Sequence, residues 1–510
     1  MNIFKHTYRR LLMFMWRMAT KTGYDYITSS SDGKAGSKID ILIFGDSAAQ
    51  VKIAQLIESN EILPYRVAGF ISDSDSASGK TILGLPVYSK KNVLDNISLS
   101  GRIGAILIEY NSLDVAEKHI LADKCIEKNL KLLTLPLPED IGKSGVRELN
   151  NIRIEDLLGR ATTAIDTDKI GVMLKGKTVL ITGAAGSIGS EIVRQLSAFE
   201  IKTLLLCDIA ESPLHQLKLE MKDNYPDVQH KILVADVRNK ERMRRIFEQY
   251  RPEHIYHAAA YKHVPLMEQN PCEAVLTNIF GTKCVADLAT EYSAECFVMI
   301  STDKAVRPGN VMGATKRISE IYVQSLTGRT RFLTTRFGNV IGSNGSVIPR
   351  FEEQIRRGGP VTVTHTNVIR YFMTISEACH LVLEAGLIGR GSEVFVFDMG
   401  EPVNIVDLAQ KMIHLSGYEP YKDIDIKITG LRPGEKLHEE LFYNRENAED
   451  TPNSRIKIGE VGYHEPEKVR TALETLLIEA ENGEDTAVVK TMKKIIPEFK
   501  SCNSEYSRLD

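Results

Sequence analysis

Thr302, Asp303 and Lys304 follow directly on an apolar run, Phe297 to Ser301, that reads as a buried strand. A carboxyl and an amine side by side at a strand end can divide the giving and taking of a proton. Each such positioned group is worth on the order of 10²–10⁴ in rate. An ordinary surface ion pair capping a strand is the plainer reading of the same two residues. For Lys304 to accept a proton, its pKa must fall well below the usual value of about 10.4, through burial or a neighbouring cation. Lys316, in Met312-Gly313-Ala314-Thr315-Lys316 on the following helix, is such a cation.

A second set of residues points to a dinucleotide. The apolar strand Lys177 to Thr182 runs into Gly183-Ala184-Ala185-Gly186-Ser187-Ile188-Gly189 and then a helix. Gly183 permits the tight turn, Gly186 lets the backbone approach a pyrophosphate, and Gly189 lets helix and strand pack closely. The helix N-terminus, with Ser187 and Ile188 in its first turn, offers free N–H groups to the phosphates. Asp208 ends the next strand, where a carboxylate would take the ribose hydroxyls and disfavour a 2′-phosphate, so NAD is expected over NADP. Asp236 and Val237, after the third strand, are placed for an adenine contact. Ala258 and Ala260, after the fourth, together with Lys316, complete the expected lining. Structural turn acids are the alternative reading of both carboxylates.

The elements that must hold these residues alternate between strand and helix. Ile39 to Phe44, Arg66 to Ile71, Ile103 to Glu109 and Leu130 to Leu135 read as buried strands, with helices at Ala48 to Ser59 and Val115 to Lys128. A second series has strands at Lys177 to Thr182, Thr203 to Cys207, Lys231 to Ala235, His254 to His257 and Phe297 to Ser301. Its helices are expected over Ser190 to Phe199, Lys240 to Tyr250 and Glu273 to Tyr292. Such alternation predicts an α/β fold of two Rossmann-like, doubly wound parallel sheets. From about Thr335 the pattern loosens into a small substrate lobe. The expected organisation is a basic N-terminal helix and linker (1–37), a degenerate Rossmann-like domain (38–160), a catalytic domain (175–450) and a helical extension (451–510). In the first domain, Gly45-Asp46-Ser47-Ala48-Ala49-Gln50 lacks the later glycines, and Asp46 would repel a phosphate. That domain is not expected to hold a dinucleotide in the usual way.

With 510 residues, 26% charged and a formal net charge of -3, the chain fits a multidomain soluble protein and lacks the basic excess of a general nucleic-acid binder. Its seven cysteines include no C-x-x-C pair, so neither a zinc site nor a disulfide framework is signalled, and no metal is expected. That usage suits a reducing cytoplasm. Between Met1 and Thr22 stand Lys5, Arg9, Arg10, Arg17 and Lys21 with no acid. A solvated terminal helix is the simpler reading. A basic amphipathic helix at the inner face of the cytoplasmic membrane is the other.

Five long motifs stand in the order TGAAGSIGSE, HAAAYKHVPLME, STDKAVRPGNVMGATKR, TRFGNVIGSNGSV and LRPGEKLHEEL. In these the chain resembles the extended short-chain dehydrogenase/reductases, specifically the UDP-N-acetylglucosamine 4,6-dehydratases of bacterial polysaccharide biosynthesis (the CapD-like proteins). The resemblance spans Lys175 to Phe442 and, more loosely, Ile39 to Arg160. It implies oxidation of a hexose at carbon 4 with hydride passing to NAD, loss of water across carbons 5 and 6, and hydride return to carbon 6. The matching Asp303 would be the acid and Lys304 the base.

Short-chain dehydrogenases usually place Tyr four residues before the lysine, where this chain has Met312. A thioether takes no proton, so Thr302, Lys316 through the cofactor ribose, or water would have to serve. Long members of the resembled family also show Met here. For the UDP-sugar the resemblance points to Arg432 and Glu435 in LRPGEK, with Arg370 as a second cation. Asn339 looks placed for a phosphate or the sugar, and Lys262 and His263 lie near the expected sugar pocket. Homo-oligomer formation is also expected. An epimerase or reductase on the same fold, or a non-catalytic NAD-binding scaffold, are the alternatives.

Overall fold

The computed structural model describes residues 38–60, most of 63–135, the strand Asn150–Asn151, and residues 166–442, 448–459 and 466–510. The basic N-terminal segment, its linker and the expected first-domain boundary near Arg160 lie outside the described residues. The chain divides into two compact units, Met1–Ile152 and Arg153–Asp510.

In the first unit, the strands Ile39–Phe44, Tyr65–Ser72, Ile103–Ile108 and Lys131–Thr134 form the parallel centre of a seven-stranded sheet. Their apolar runs are buried because a parallel sheet is covered on both faces. A short hairpin, Thr81–Ile82 with Leu85–Ser89, adds one edge that the sequence pattern did not reveal. At the first strand–helix turn, Gly45 has φ +102°, and a Cβ there would lie 3.0 Å from the Gln50 side chain. Ser47 hydrogen-bonds Gln50, whose amide donates to Glu109 at 2.9 Å. Side chains and an acid therefore crowd the place where a pyrophosphate would need bare backbone.

The second unit is built on a nine-stranded sheet. Across it run His230–Val234, Thr203–Asp208, Thr178–Thr182, His254–His257, Cys296–Ile300, Arg331–Arg336, Val394–Phe397, Ile456–Gly459 and Glu449–Asp450. The first seven are parallel, Ile456–Gly459 runs antiparallel to Val394–Phe397, and Glu449–Asp450 runs antiparallel to Ile456–Gly459. Alternate residues feed two cores. Leu180, Leu205, Ile255 and Phe297 pack to one side, while Val179, Ile181, Leu204, Leu206 and Val298 pack to the other. A parallel sheet places every strand's C-terminal end on one edge, where ligands of such folds bind. Thr182, Asp208, His257 and Ile300 all end there.

Three short pairings make the lobe beyond that edge. These are Asn339–Val340 with Phe372–Met373, Val361–Val363 with Ile426–Ile428, and Ile369–Arg370 with Val403–Asn404. The segment expected as a helical extension differs from that reading. Its strand Ile456–Gly459 pairs with Val394–Phe397 in the main sheet. Its helices Pro466–Glu481 and Asp485–Ile495 bury Leu473, Leu476, Val488 and Met492 in the first core. The expected single helix over Glu273 to Tyr292 is Pro271–Ala274, a π-helical turn Val275–Gly281 and Thr282–Glu291. Asn278 of that turn accepts from Tyr261 N at 2.8 Å and donates to Thr315 Oγ1 at 3.0 Å. The turn thus ties the loop after His257 to the helix Val311–Ser325.

Candidate active site

Gly183 leaves the central strand with φ +67°, and a Cβ there would sit 2.6 Å from Ala259 N. One at Gly189 would sit 2.0 Å from Gly183 O, so the helix meets the glycine turn only because Gly189 lacks a side chain, while Gly183 admits the backbone after the neighbouring strand. Gly186 caps the helix Ser187–Leu196 without a side-chain bond, which leaves the first-turn amides to face a ligand. The Asp208 carboxylate is aimed by Ala185 N at 2.9 Å and Ala210 N at 2.8 Å. Burial alone would raise the Asp236 carboxyl, but bonds from Arg238 hold it below its usual range.

A cleft of about 250 Å³ is lined by Gly183, Gly186, Asp208, Asp236, Val237, Ala258 and Ala260, together with Tyr261 and Thr277. Those last two were not among the sequence expectations. Ser187, Ile188, Gly189 and Lys316 stand outside that lining. Gly189 serves packing, and Ser187 Oγ accepts from Asn344 N at 3.2 Å. Missing side chains at Gly183 and Gly189, amides at Ser187 and a fixed carboxylate at Asp208 suit a dinucleotide with a free ribose 2′-hydroxyl.

Beside the cleft, the strand Cys296–Ile300 ends in a single 3₁₀ turn, Asp303–Ala305. Asp303 N donates to Phe337 O at 3.0 Å, which fixes the turn to the neighbouring strand's end. Three side chains converge there. Thr302 Oγ1 donates to Asp303 Oδ1 at 2.8 Å, and Lys304 Nζ donates to the same oxygen at 2.9 Å and to Asn339 Oδ1 at 3.1 Å. The Asp303 side chain is 1% exposed and that of Lys304 16%. The surface-pair reading is therefore excluded by burial. A lone buried carboxylate would be costly, and the amine and hydroxyl offset that cost.

Beneath this turn lies a buried charge cluster that the sequence did not signal. Ser301 Oγ donates to Glu320 at 2.6 Å, Arg336 Nε donates to it at 2.7 Å, and Arg317 pairs with it at 3.2 Å. Burial would raise the Glu320 carboxyl, but the two arginines bring it below the ordinary range. Lys316, one turn away on the same helix, is pushed down to about 8 by burial, with Glu320 acting the other way. Met312 is buried in the helix's first turn. The Lys304 amine is held by Asp303 and Asn339, where the sequence reading had invoked Lys316 as its neighbour.

The substrate-side residues sort into two groups. Burial, then Lys262 and Arg432, lower the His263 imidazole pKa, and burial lowers the Lys262 amine. The Lys262 amine, the Arg432 guanidinium and the His263 ring therefore lie near one another. Gly345, at φ +71°, admits the loop after Val340 against His263, where a Cβ would lie 2.7 Å from the ring. Arg370 differs: its guanidinium is buried and donates to Ile369 O, Lys436 O and Leu437 O, and pairs with Glu435 at 3.3 Å. It clamps the loop that carries Arg432 and does not present itself to a phosphate. Glu435 joins the two arginines, pairing with Arg432 Nε at 3.1 Å while the Arg432 side chain stays 54% exposed.

Among the described residues no cluster of His, Cys, Asp or Glu could hold a metal ion, and no helix is long and apolar enough to cross a membrane. All seven cysteines are free thiols, six of them buried.

Residues 179–461 match the family model described as polysaccharide biosynthesis protein. The capsular polysaccharide biosynthesis protein CapD of Staphylococcus aureus is 41% identical over 452 residues, covering 88% of this chain and 75% of that one. An inverting UDP-N-acetylglucosamine 4,6-dehydratase of Campylobacter jejuni is 34% identical over 52% of this chain and 78% of its own length. A UDP-glucose 4-epimerase of Rickettsia bellii shows the same 34% identity over 55% of this chain and 82% of its own, so identity does not choose between those two chemistries. The sheet, the glycine turn and the aligned length agree: this chain belongs to the polysaccharide biosynthesis protein family of CapD-like proteins.

Proposed function

We propose that the chain is an NAD-dependent nucleotide-sugar 4,6-dehydratase acting on UDP-N-acetylglucosamine. The observation that carries this reading is the buried Lys304–Asp303–Thr302 chain beside the dinucleotide cleft. NAD, when bound, supplies the acceptor for the carbon 4 hydride and its return to carbon 6.

Once carbon 4 is a ketone, the carbon 5 proton is acidic. Lys304 takes that proton while Asp303 gives one to the carbon 6 hydroxyl, which leaves as water. These roles require a neutral amine and a neutral acid. The resting pair shares one hydrogen bond of 2.9 Å, so moving a single proton along it converts ion pair to acid plus amine without changing the net charge. Elimination then restores the ion pair, and the Lys304 ammonium can return its proton to carbon 5. The carbon 4 proton leaves to water, and a proton from water restores the couple after Lys304 has protonated carbon 5; Thr302 donates to Asp303, and Asn339 keeps Lys304 turned toward its partner. Lys262, His263 and Arg432 would meet the diphosphate, Arg by its two-pronged fork.

A 4-epimerase needs the Tyr that Met312 replaces and has no use for an Asp–Lys couple. The test is incubation with UDP-N-acetylglucosamine, followed by mass spectrometry and NMR of the product. Loss of water to a 4-keto-6-deoxy sugar supports the reading. An isomer of unchanged mass contradicts it.

A further inference from the structure

Glu439 lies in the segment that crosses the catalytic turn. Its neighbours on both sides bind the residues just after that turn: Lys436 Nζ donates to Arg307 O at 2.6 Å, and Glu440 pairs with Arg307. Glu439 itself is 7% exposed, and its Oε2 is buried with no hydrogen-bond partner. A carboxylate oxygen left unbonded and dry is strongly disfavoured, whereas a neutral acid tolerates such a place far better. The charged and titratable groups close enough to act on it are Lys304, Asp303, Arg370 and Lys436, and it acts in turn on the Cys502 thiol.

We infer that Glu439 is a positioning residue of the elimination step: a neutral carboxylic acid whose lack of charge leaves the Asp303–Lys304 couple free to trade its one proton. The inference rests on the dehydratase reading. A carboxylate at Glu439 would give Lys304 a second anion and hold it as an ammonium, unable to take the carbon 5 proton. Burial raises the Glu439 carboxyl above its usual range, with Asp303 acting in the same direction and the three cations opposing. The acid therefore stays protonated to higher pH than an exposed glutamate. Turnover should fall as pH climbs through its ionisation.

Infrared spectra of the full chain, prepared with isotope-labelled glutamate and without substrate, should show a protonated glutamate band at neutral pH that Glu439→Gln removes. Absence of that band from the natural protein overturns the inference and needs no variant to fold. In turnover, Glu439→Gln should lose one ionisation from the alkaline limb. An alkaline limb identical to that of the natural protein overturns the inference. A chain that never releases water from the sugar would refute the dehydratase reading, while the infrared result would still decide the state of Glu439.

Discussion

Gly313 and the Lys304 carbonyl are in such close contact that a methyl group on Gly313 would stand 2.1 Å from the oxygen. The helix Val311–Ser325 can abut the turn Asp303–Ala305 only because that side chain is absent. Asn310 caps the same helix end, accepting from Gly313 N at 2.7 Å.

Gly313→Ala must therefore push the turn and the helix apart. Overpacking of this kind costs about 1–3 kcal/mol, and the displaced Lys304 should lower turnover more than that loss of stability lowers the folded fraction. Thermal unfolding and kcat measured on one preparation check it. Unchanged kcat would show that the turn tolerates the shift.

Arg370 and Arg432 should separate cleanly. Arg370→Ala leaves Glu435 buried with a partner lost and frees three carbonyls, a change of the kind that costs about 3–5 kcal/mol of stability. Arg432→Ala removes a half-exposed side chain and should move stability by less than about 1 kcal/mol. It should nevertheless weaken UDP binding by about 1.5–3 kcal/mol, as expected for a lost bond to a charged group. Calorimetry with UDP and thermal melts read the two effects.

Lys316 provides a test in pH. Its folded pKa of about 8 lies below the usual 10.5, because burial disfavours the ammonium. Between those values the unfolded chain holds a proton that the folded chain does not, so this residue's contribution to stability rises with pH across that window. The unfolding free energy of the natural protein relative to Lys316→Met should grow by up to about 3 kcal/mol between pH 8 and 10.5. A flat difference would place Lys316 in a wetter setting than its burial indicates. Taking the difference cancels the other lysines.

Much of the second unit was legible because parallel strands buried on both faces leave continuous apolar runs. His254–His257 fell where its pattern put it. The pair Asp303 and Lys304 was legible for a local reason: two groups adjacent in sequence at a strand end share a turn. Glu320 and Glu439 were not, since each reaches the site across a separation that no local pattern records, Glu320 bonding Ser301 and Glu439 lying close to Lys304. Arg370 was misread because a cation near an expected phosphate looks the same in sequence whether it faces the ligand or clamps the backbone behind it. The helix at Ser187 begins earlier than the expected Ser190 because its first residues double as the glycine turn. The π-helical turn at Asn278 has no periodic signature either. The hairpin Thr81–Ser89 escaped notice because Leu83 and Gly84 reverse the chain between very short strands.

The central claim is that Asp303 supplies the proton on which water departs. Asp303→Asn, mixed with UDP-N-acetylglucosamine in the absorbance band of reduced nicotinamide, should build up reduced cofactor on the enzyme while product release falls by on the order of 10²–10⁴. Undiminished release of the dehydrated sugar, with no such absorbance, would contradict it.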